Sequence, residues 1–489
     1  MSPHSPLKVL FAASEIVPFA KTGGLADVVG ALPQALSRLG CEVAIVMPKY
    51  RSVLPEKHRL TLVKRGLRVP MGMGDMFCDV WEGAVGGGRV KAYFIQNDRY
   101  FDRDQLYGTP EGDYPDNSER FAFFSKALLE MCQDSGWIPD IINLSDWQTG
   151  LAAAYQKTWF RKGAWANTRT LFTIHNIAYQ GIFPKWVLPM TGLGWEEFRA
   201  DRLEFYDQVN FLKAGLVYSD ALNTVSPTYA KEIQTGEFGF GMDGVLRDRA
   251  ADLHGILNGV DYDEWNPGHD PAVAVPYTAR NLDAKAEAKK TLCAEMGLPY
   301  QPKTPLFGLV SRLTDQKGFD LLAEIIQPFI EMDIQLVILG TGEKRYQDLM
   351  TDMHAKYPGK LGLRIGFDNP LSRRIYAGSD LFLMPSRFEP CGLGQMISLR
   401  YGSIPVVRKT GGLADTITHV SSGLSTGNGF VFEHYTGEGF LWALREAAQS
   451  FQDQAAWRRL VTRAMGQDFS WNASAQRYLD LYREVLKKP

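Results

Sequence analysis

Short continuous apolar runs alternate with stretches of helical periodicity along most of the chain. In the first half, runs at 8–13, 42–47, 90–95, 140–144, 170–174 and 221–224 predict strands. They are rich in Val, Ile, Leu and Phe and lack a polar face, the pattern of parallel strands covered on both sides. The second half alternates more regularly. Strands are predicted at 305–310, 334–339, 363–365, 381–384 and 404–407, with helices near 318–331, 343–356, 371–377 and 393–401. Alternation at this pitch predicts an α/β fold of two doubly wound, Rossmann-like domains facing across a cleft, with ligand at the carboxyl ends of strands.

Gly255, Asn258, Gly259, Pro267, Gly268, Pro271 and Pro276 crowd turn formers into 253–276. The expected division is therefore 1–252, then 253–469, then a terminal helix at 470–489 that docks back on the first domain. One heptapeptide recurs letter for letter, Lys21-Thr22-Gly23-Gly24-Leu25-Ala26-Asp27 and Lys409-Thr410-Gly411-Gly412-Leu413-Ala414-Asp415, each after a predicted strand. No longer period accompanies it, so the chain is not a repeat array. Both loops are expected to face the cleft.

A length of 489 residues suits about three units of average size merged into two. Lys plus Arg is 53 and Asp plus Glu is 55, without the basic excess of a nucleic-acid binder or membrane-surface protein. The five cysteines, Cys41, Cys78, Cys132, Cys293 and Cys391, have no Cys-x-x-Cys spacing. That disfavours a disulfide framework or a cysteine zinc site and fits a reducing compartment. The leading stretch has no charged segment ahead of a long apolar one, and the apolar run 9–13 is too short for a signal core or membrane span. A cytoplasmic protein is expected.

Three loops could carry chemistry. In Lys21–Asp27 the paired Gly23 and Gly24 let backbone approach a ligand, the helix behind offers free N–H groups, and Lys21 adds charge. The helix is expected over 27–39, with Asp27 as its cap and Gly40 beyond its end. As a bare pattern this is weak, because such glycines more often serve packing. Arg312 and Lys317 follow the strand at 305–310, a planar fork and a point charge suited to phosphate oxygens, with only Asp315 as a nearby carboxylate. In Pro385-Ser386-Arg387-Phe388-Glu389-Pro390-Cys391-Gly392-Leu393, Glu389 precedes a proline and is extended, free to accept from sugar hydroxyls, while the N–H groups of Cys391, Gly392 and Leu393 face an anion. Cys391 has no base motif beside it and is not read as a nucleophile. His175, with Asn176 after it, and Asp146 each end a strand. The pair Gly340 and Gly342 lacks the third glycine of a dinucleotide fingerprint, and no Walker loop, His-Glu-x-x-His or Gly-x-Ser-x-Gly occurs.

Together these segments resemble the bacterial glycogen synthase and plant-type starch synthase family nearly end to end. The resemblance also covers Ser14-Glu15 with Pro18, 113–117 with Arg120-Phe121, 173–181, 211–215, 224–229, 255–261 and 265–267. It implies a GT-B glycosyltransferase that passes glucose from ADP-glucose to the non-reducing end of an α-1,4-glucan, with retention and with no metal or cofactor. By the same resemblance, 1–252 is the acceptor side and 253–469 the nucleotide-sugar side. Arg312 and Lys317 would hold the donor diphosphate, with Lys21 contributing from the other domain. Glu389 and the backbone of Cys391, Gly392 and Leu393 would hold glucosyl hydroxyls. His175 would lie near the reacting face, with Asp146 and Asn176 lining the same pocket and Thr410, Gly411 and Gly412 beside the donor. Phe367 stands where the family often has Tyr, keeping an aromatic face for adenine. Ser145 replaces a usual His and Gly394 a usual Thr, changes that bear on donor affinity or acceptor choice rather than on fold. Ile397, eight residues after Glu389, is normal for the family though not for the wider superfamily. A relative using another nucleotide sugar, or a non-catalytic glucan-binding homologue, is the alternative.

Overall fold

A computed structural model describes residues 6–109 and 111–488; Met1–Ser5, from the leading stretch considered above, Pro110 and Pro489 lie outside the described residues. The chain divides into two compact units, one of Met1–Val225, Ala230–Gly259 and Trp471–Pro489, the other of Ser226–Tyr229 and Val260–Ser470.

The first unit is built on a nine-stranded sheet. Its order is Leu253–Gly255, Ala221–Thr224, Arg169–Ile174, Ile141–Ser145, Lys8–Ala12, Glu42–Pro48, Val90–Gln96, Gly74–Val85, Thr61–Met71. The first seven strands in that order pair in parallel, and the last two form an antiparallel hairpin at the edge. The central strands Lys8–Ala12 and Ile141–Ser145 are buried along almost their whole length, as expected for strands covered on both faces. A separate three-stranded sheet, Ile182–Pro184, Gln208–Asn210 and Glu204–Phe205, projects from the same unit.

The second unit holds six parallel strands in the order Leu361–Ile365, Gln335–Gly340, Leu306–Val310, Leu381–Met384, Ile404–Arg408, Phe430–Phe432. Numbered along the chain this is 3-2-1-4-5-6, the Rossmann order. The parallel strands expected from the sequence form within a residue or two of their predicted ends.

Two differences have physical causes. Leu253–Gly255, expected to open the second domain, pairs in parallel with Ala221–Thr224 and ends the first sheet; a three-residue strand beside glycines is too short to stand out from a turn. The hairpin at 61–85 was not expected at all. Register shifts near Leu62, Lys64 and Leu67 interrupt the alternation that would have announced it.

The helix Trp471–Val485 packs on the helix Gly24–Arg38 of the first unit. It also reaches into that unit's sheet, where Asn143 donates to the Tyr482 hydroxyl at 2.8 Å and Asn223 to the Tyr478 hydroxyl at 2.8 Å. All four side chains are buried. Tyr482→Phe removes the acceptor and leaves a buried amide N–H unpaired. It is expected to cost about 1–3 kcal/mol, read as a lower denaturant midpoint by circular dichroism.

Candidate active site

In the second sheet the winding reverses between the strands Leu306–Val310 and Leu381–Met384, which lie side by side. The loops leaving their carboxyl ends, 311–318 and 385–393, flank that reversal, the position where open α/β sheets bind ligands. The two loops are locked together. Gly318 has φ 79°, and a Cβ there would overlap the Pro385 carbonyl, while Arg387 N donates to Gln316 O at 2.9 Å. Lys317 Nζ then lies 2.6 Å from Glu389 Oε2, and the Ser386 hydroxyl donates to the same oxygen at 2.9 Å. Glu389 is buried, so its charge is offset by this cation and hydroxyl. Arg312 is exposed, with Nη2 3.4 Å from Gln316 Oε1. Asp315 is engaged by Arg345 and Tyr346, leaving the Arg312 guanidinium without a nearby carboxylate partner from that loop.

Gly392 takes φ 73°, and the Gln395 amide donates back to the carbonyls of Cys391 and Gly392 at 3.0 and 2.9 Å. The loop of Cys391, Gly392 and Leu393 is thus shaped from within before the helix Gly394–Arg400 begins. A Cβ on Gly394 would lie 3.2 Å from Met384 Sδ and 3.3 Å from Tyr376 Oη, so these side chains occupy the space a threonine would take. Phe367 follows the strand Leu361–Ile365 and is 88% exposed, an open aromatic face.

The first sheet reverses in the same way, beside Lys8–Ala12 and Ile141–Ser145. Asp146 directly follows the second of these, held at φ 55° and ψ −175°, a conformation rarely adopted by residues other than glycine. Its Oδ1 accepts from His175 N at 2.7 Å and Asn176 N at 3.4 Å, fixing the start of the loop that carries both side chains. Asn176 Oδ1 in turn accepts from Ala178 N at 3.1 Å. Burial pushes the Asp146 carboxyl up to about 7, opposed by those two N–H groups and reinforced by the Glu15 charge. Burial pushes the His175 ring down to about 3, so it is a neutral imidazole at any physiological pH.

The heptapeptide of Lys21 behaves differently from its expectation. The helix runs Gly24–Arg38 with Gly23 at its cap, and Asp27 lies inside the first turn, where Lys21 Nζ reaches it at 2.6 Å. The backbone N–H groups of the loop already hold an anion, the protein's own. Glu15 Oε2 accepts from Thr22 N and from Gly23 N (3.1 Å), and Oε1 accepts from the hydroxyls of Thr22 (2.5 Å) and Tyr107 (2.6 Å). In the second copy, Lys409 pairs with Glu433 at 2.6 Å, and Asp415 accepts from Ser226 Oγ (2.5 Å), Thr228 Oγ1 (2.6 Å) and Thr228 N. Gly411 and Gly412 lie directly under the Glu389 loop: a Cβ on either would overlap the carbonyls of Glu389 and Cys391 respectively. Gly411 and Gly412 therefore support the backbone of the Glu389 loop, whereas a Cβ on Gly23 would meet nothing within 4 Å.

A cavity of about 550 Å³ opens within the first unit. Trp147, which follows Asp146, lines it with Asp113, Asn117, Gln180, Phe183 and Phe240. Among the described residues no group of three or more His, Cys, Asp or Glu could hold a metal ion. All five cysteines are buried and none forms a disulfide. Glu15, Tyr107 and Ser386 are the site residues that sequence reasoning assigned no role. Glu15 and Ser386 fall within the motif segments, but nothing in their spacing announces that a carboxylate folds back seven residues to fill a glycine loop.

Residues 8–248 match the starch synthase catalytic domain family and residues 298–459 match glycosyl transferases group 1. With two Rossmann-like domains carrying these loops, the protein is a glycosyltransferase of the GT-B class. It is 48% identical over 484 residues to a glycogen synthase of Syntrophotalea carbinolica, covering 98% of this chain and 99% of that one. A glycogen synthase of Koribacter versatilis is 47% identical over 480 residues, covering 98% of each chain. The chain belongs to the glycogen synthase and starch synthase family. The catalytic domain of starch synthase IV from Arabidopsis thaliana, solved with ADP and acarbose, superposes with a TM-score of 0.91 at 36% identity, covering 99% of this chain and all of that one. A sucrose-phosphate synthase from Thermosynechococcus elongatus, at 16% identity and a TM-score of 0.59 over 98% of this chain and 99% of that one, shares the fold.

The two heptapeptide copies give a paired test. Gly412→Ala is expected to destabilise the second unit and abolish catalysis, and Gly23→Ala to leave the melting temperature unchanged, both by differential scanning fluorimetry with an activity assay. Asp146 gives a second. Its raised folded-state pKa means the native chain holds a proton that an unfolded carboxyl, near ~4, has released. The stability it contributes is full below that unfolded value and is lost as the pH rises through about 7. Asp146→Asn, which keeps an acceptor oxygen, is expected to melt above wild type at a pH of about 8 and to show no such gain at about 4.

Proposed function

We propose that the protein transfers glucose from ADP-glucose to the non-reducing end of an α-1,4-glucan with retention of configuration. The observation that carries the reading is the Lys317–Glu389 pair at the strand reversal, where one ammonium and one carboxylate meet at 2.6 Å. That spacing suits the junction of a sugar and a diphosphate: the carboxylate accepts from glucosyl hydroxyls while the ammonium turns to the β-phosphate. Family membership and the ADP carried by the starch synthase IV structure support the nucleotide.

In this reading Arg312 and Lys317 hold the diphosphate. Negative charge grows on the β-phosphate as ADP departs, and fixed cations stabilise it most at that moment. Glu389, with the N–H groups of Cys391, Gly392 and Leu393, orients the glucosyl ring. His175, neutral, bonds a sugar hydroxyl without placing a cation beside an oxocarbenium-like centre. Asp146 fixes the backbone that carries His175 and Asn176. The leaving phosphate takes the acceptor's proton on the same face, which preserves configuration. Phe367 stacks on adenine, and the cavity lined by Trp147, Gln180 and Phe183 receives the acceptor. Five buried cysteines, none of them in a disulfide, favour the cytoplasm as the setting.

Purified protein is expected to glucosylate glycogen faster from ADP-glucose than from UDP-glucose; equal or better use of UDP-glucose would overturn the donor assignment. Lys317→Ala is expected to lower kcat by roughly a hundred-fold or more, with kcat/KM falling at least as far. A raised KM with unchanged kcat would mean that Lys317 binds ground state and transition state alike.

A further inference from the structure

The strand Phe430–Phe432 ends the second sheet, three strands away from Leu306–Val310. The helix after it, Gly437–Ser450, is capped by Thr436, whose hydroxyl accepts from Gly439 N at 3.2 Å. That helix packs on Phe319–Ile330, the helix that follows the 311–318 loop. Tyr435, one residue before the cap, is thereby set beside Asp320 in the first turn of the neighbouring helix.

The Tyr435 hydroxyl donates to Asp320 Oδ1 and lies 3.2 Å from the Asp315 carbonyl. The other oxygen of Asp320 accepts from Arg387 Nη2 at 2.7 Å. The guanidinium groups of Arg387 and Arg408 lie over the tyrosine ring, 4.8 and 5.1 Å from its centre. Arg408 also donates to the Arg387 carbonyl. These partners come from three different loops of the site. Asp315 precedes Lys317 by two residues, Arg387 precedes Glu389 by two, and Arg408 precedes Thr410 by two. One half-buried ring from a fourth loop therefore ties the other three together.

An exposed pair such as Arg387–Asp320 holds a loop only weakly by itself. The ring adds a cation–π contact to each guanidinium, and the phenol fixes the second oxygen of Asp320. Burial raises the phenol pKa, so the hydroxyl remains a donor in neutral solution. Lys317 and Glu389 sit in separate loops yet have to serve one substrate at once. A misplacement of ~1 Å in such a constellation costs up to about a hundred-fold in rate. We infer that Tyr435 is a positioning residue of the transfer reaction. Through Asp320 and Arg387 it fixes the spacing of Lys317 and Glu389, and so acts on turnover without touching the donor. The inference rests on the glucosyl-transfer reading and adds to it a residue outside the three loops assigned to the donor.

The test uses the full chain with Tyr435→Phe, Tyr435→Ala, Arg387→Ala and the double variant Tyr435→Ala/Arg387→Ala. Tyr435→Ala is expected to lower kcat by roughly ten-fold or more. The inhibition constant of ADP, which Arg312 and Lys317 set, is expected to move by less than about two-fold. Tyr435→Phe keeps the ring beneath both guanidinium groups and is expected to fall between wild type and Tyr435→Ala. The double variant is expected to be no slower than the slower single variant, because both changes break one linkage. In hydrogen exchange, peptides covering 385–393 are expected to exchange faster in Tyr435→Ala by roughly ten-fold, with the strand Leu306–Val310 unchanged. Unchanged kcat or unchanged exchange overturns the inference, as do single losses that multiply in the double variant. A kcat loss matched by an equal loss of ADP affinity, or exchange that rises across the whole second unit, also overturns it, by marking the ring as a general stability element. A wild-type protein that transfers no glucose from ADP-glucose overturns the enzymatic reading instead, and the exchange result still decides whether Tyr435 holds the loop.

Discussion

Between Leu306–Val310 and Leu381–Met384 the connections change sides of the sheet, so the carboxyl ends of those strands are left uncovered. Only there can two loops from distant parts of the sequence approach each other without a helix between them. Lys317 and Glu389, 72 residues apart, meet because of it. The first sheet repeats the geometry at Lys8–Ala12 and Ile141–Ser145, where the loop of Glu15 and the residue Asp146 emerge from neighbouring strands. A buried carboxylate is tolerable at such a place only with a partner, and each unit supplies one by different means. Glu389 has an ammonium and a hydroxyl; Glu15 has backbone N–H groups and two hydroxyls.

The seven-residue repeat shows how little a sequence says about use when its surroundings differ. Lys-Thr-Gly-Gly-Leu-Ala-Asp forms a strand-to-helix turn in both copies. In the first its glycine backbone bonds Glu15 and its lysine is drawn to Asp27. In the second, neighbouring carbonyls press so close on Gly411 and Gly412 that no side chain fits. The same letters give an anion-holding loop in one unit and a packing surface in the other.

The parallel strands were legible because burial on both faces leaves an unbroken apolar run, and the loops after them were legible because motif and strand end coincide. Where burial was one-sided and the pairing bulged, at Thr61–Val85, the signal vanished. In the site, charged and glycine residues were found from their positions, but their mutual pairing was not. Asp27 looked like a helix cap because a carboxylate at that offset often is one; Lys21 and Gly23 decide otherwise. Asp146 gave no hint of its unusual backbone, since an aspartate before a helix is ordinary in sequence.

The helix Trp471–Val485 completes the first unit although it is made after the whole of the second. On a ribosome, Asn143 and Asn223 wait for Tyr482 and Tyr478 through the synthesis of more than two hundred residues, and Leu257 for the hydroxyl of Ser474. The second unit can close as soon as its own strands emerge, while the first stays unfinished until the helix Trp471–Val485 has been made. The order of birth is thus the reverse of the order of completion, and a nascent chain halted before 471 carries a nearly finished second unit and an unsealed first one.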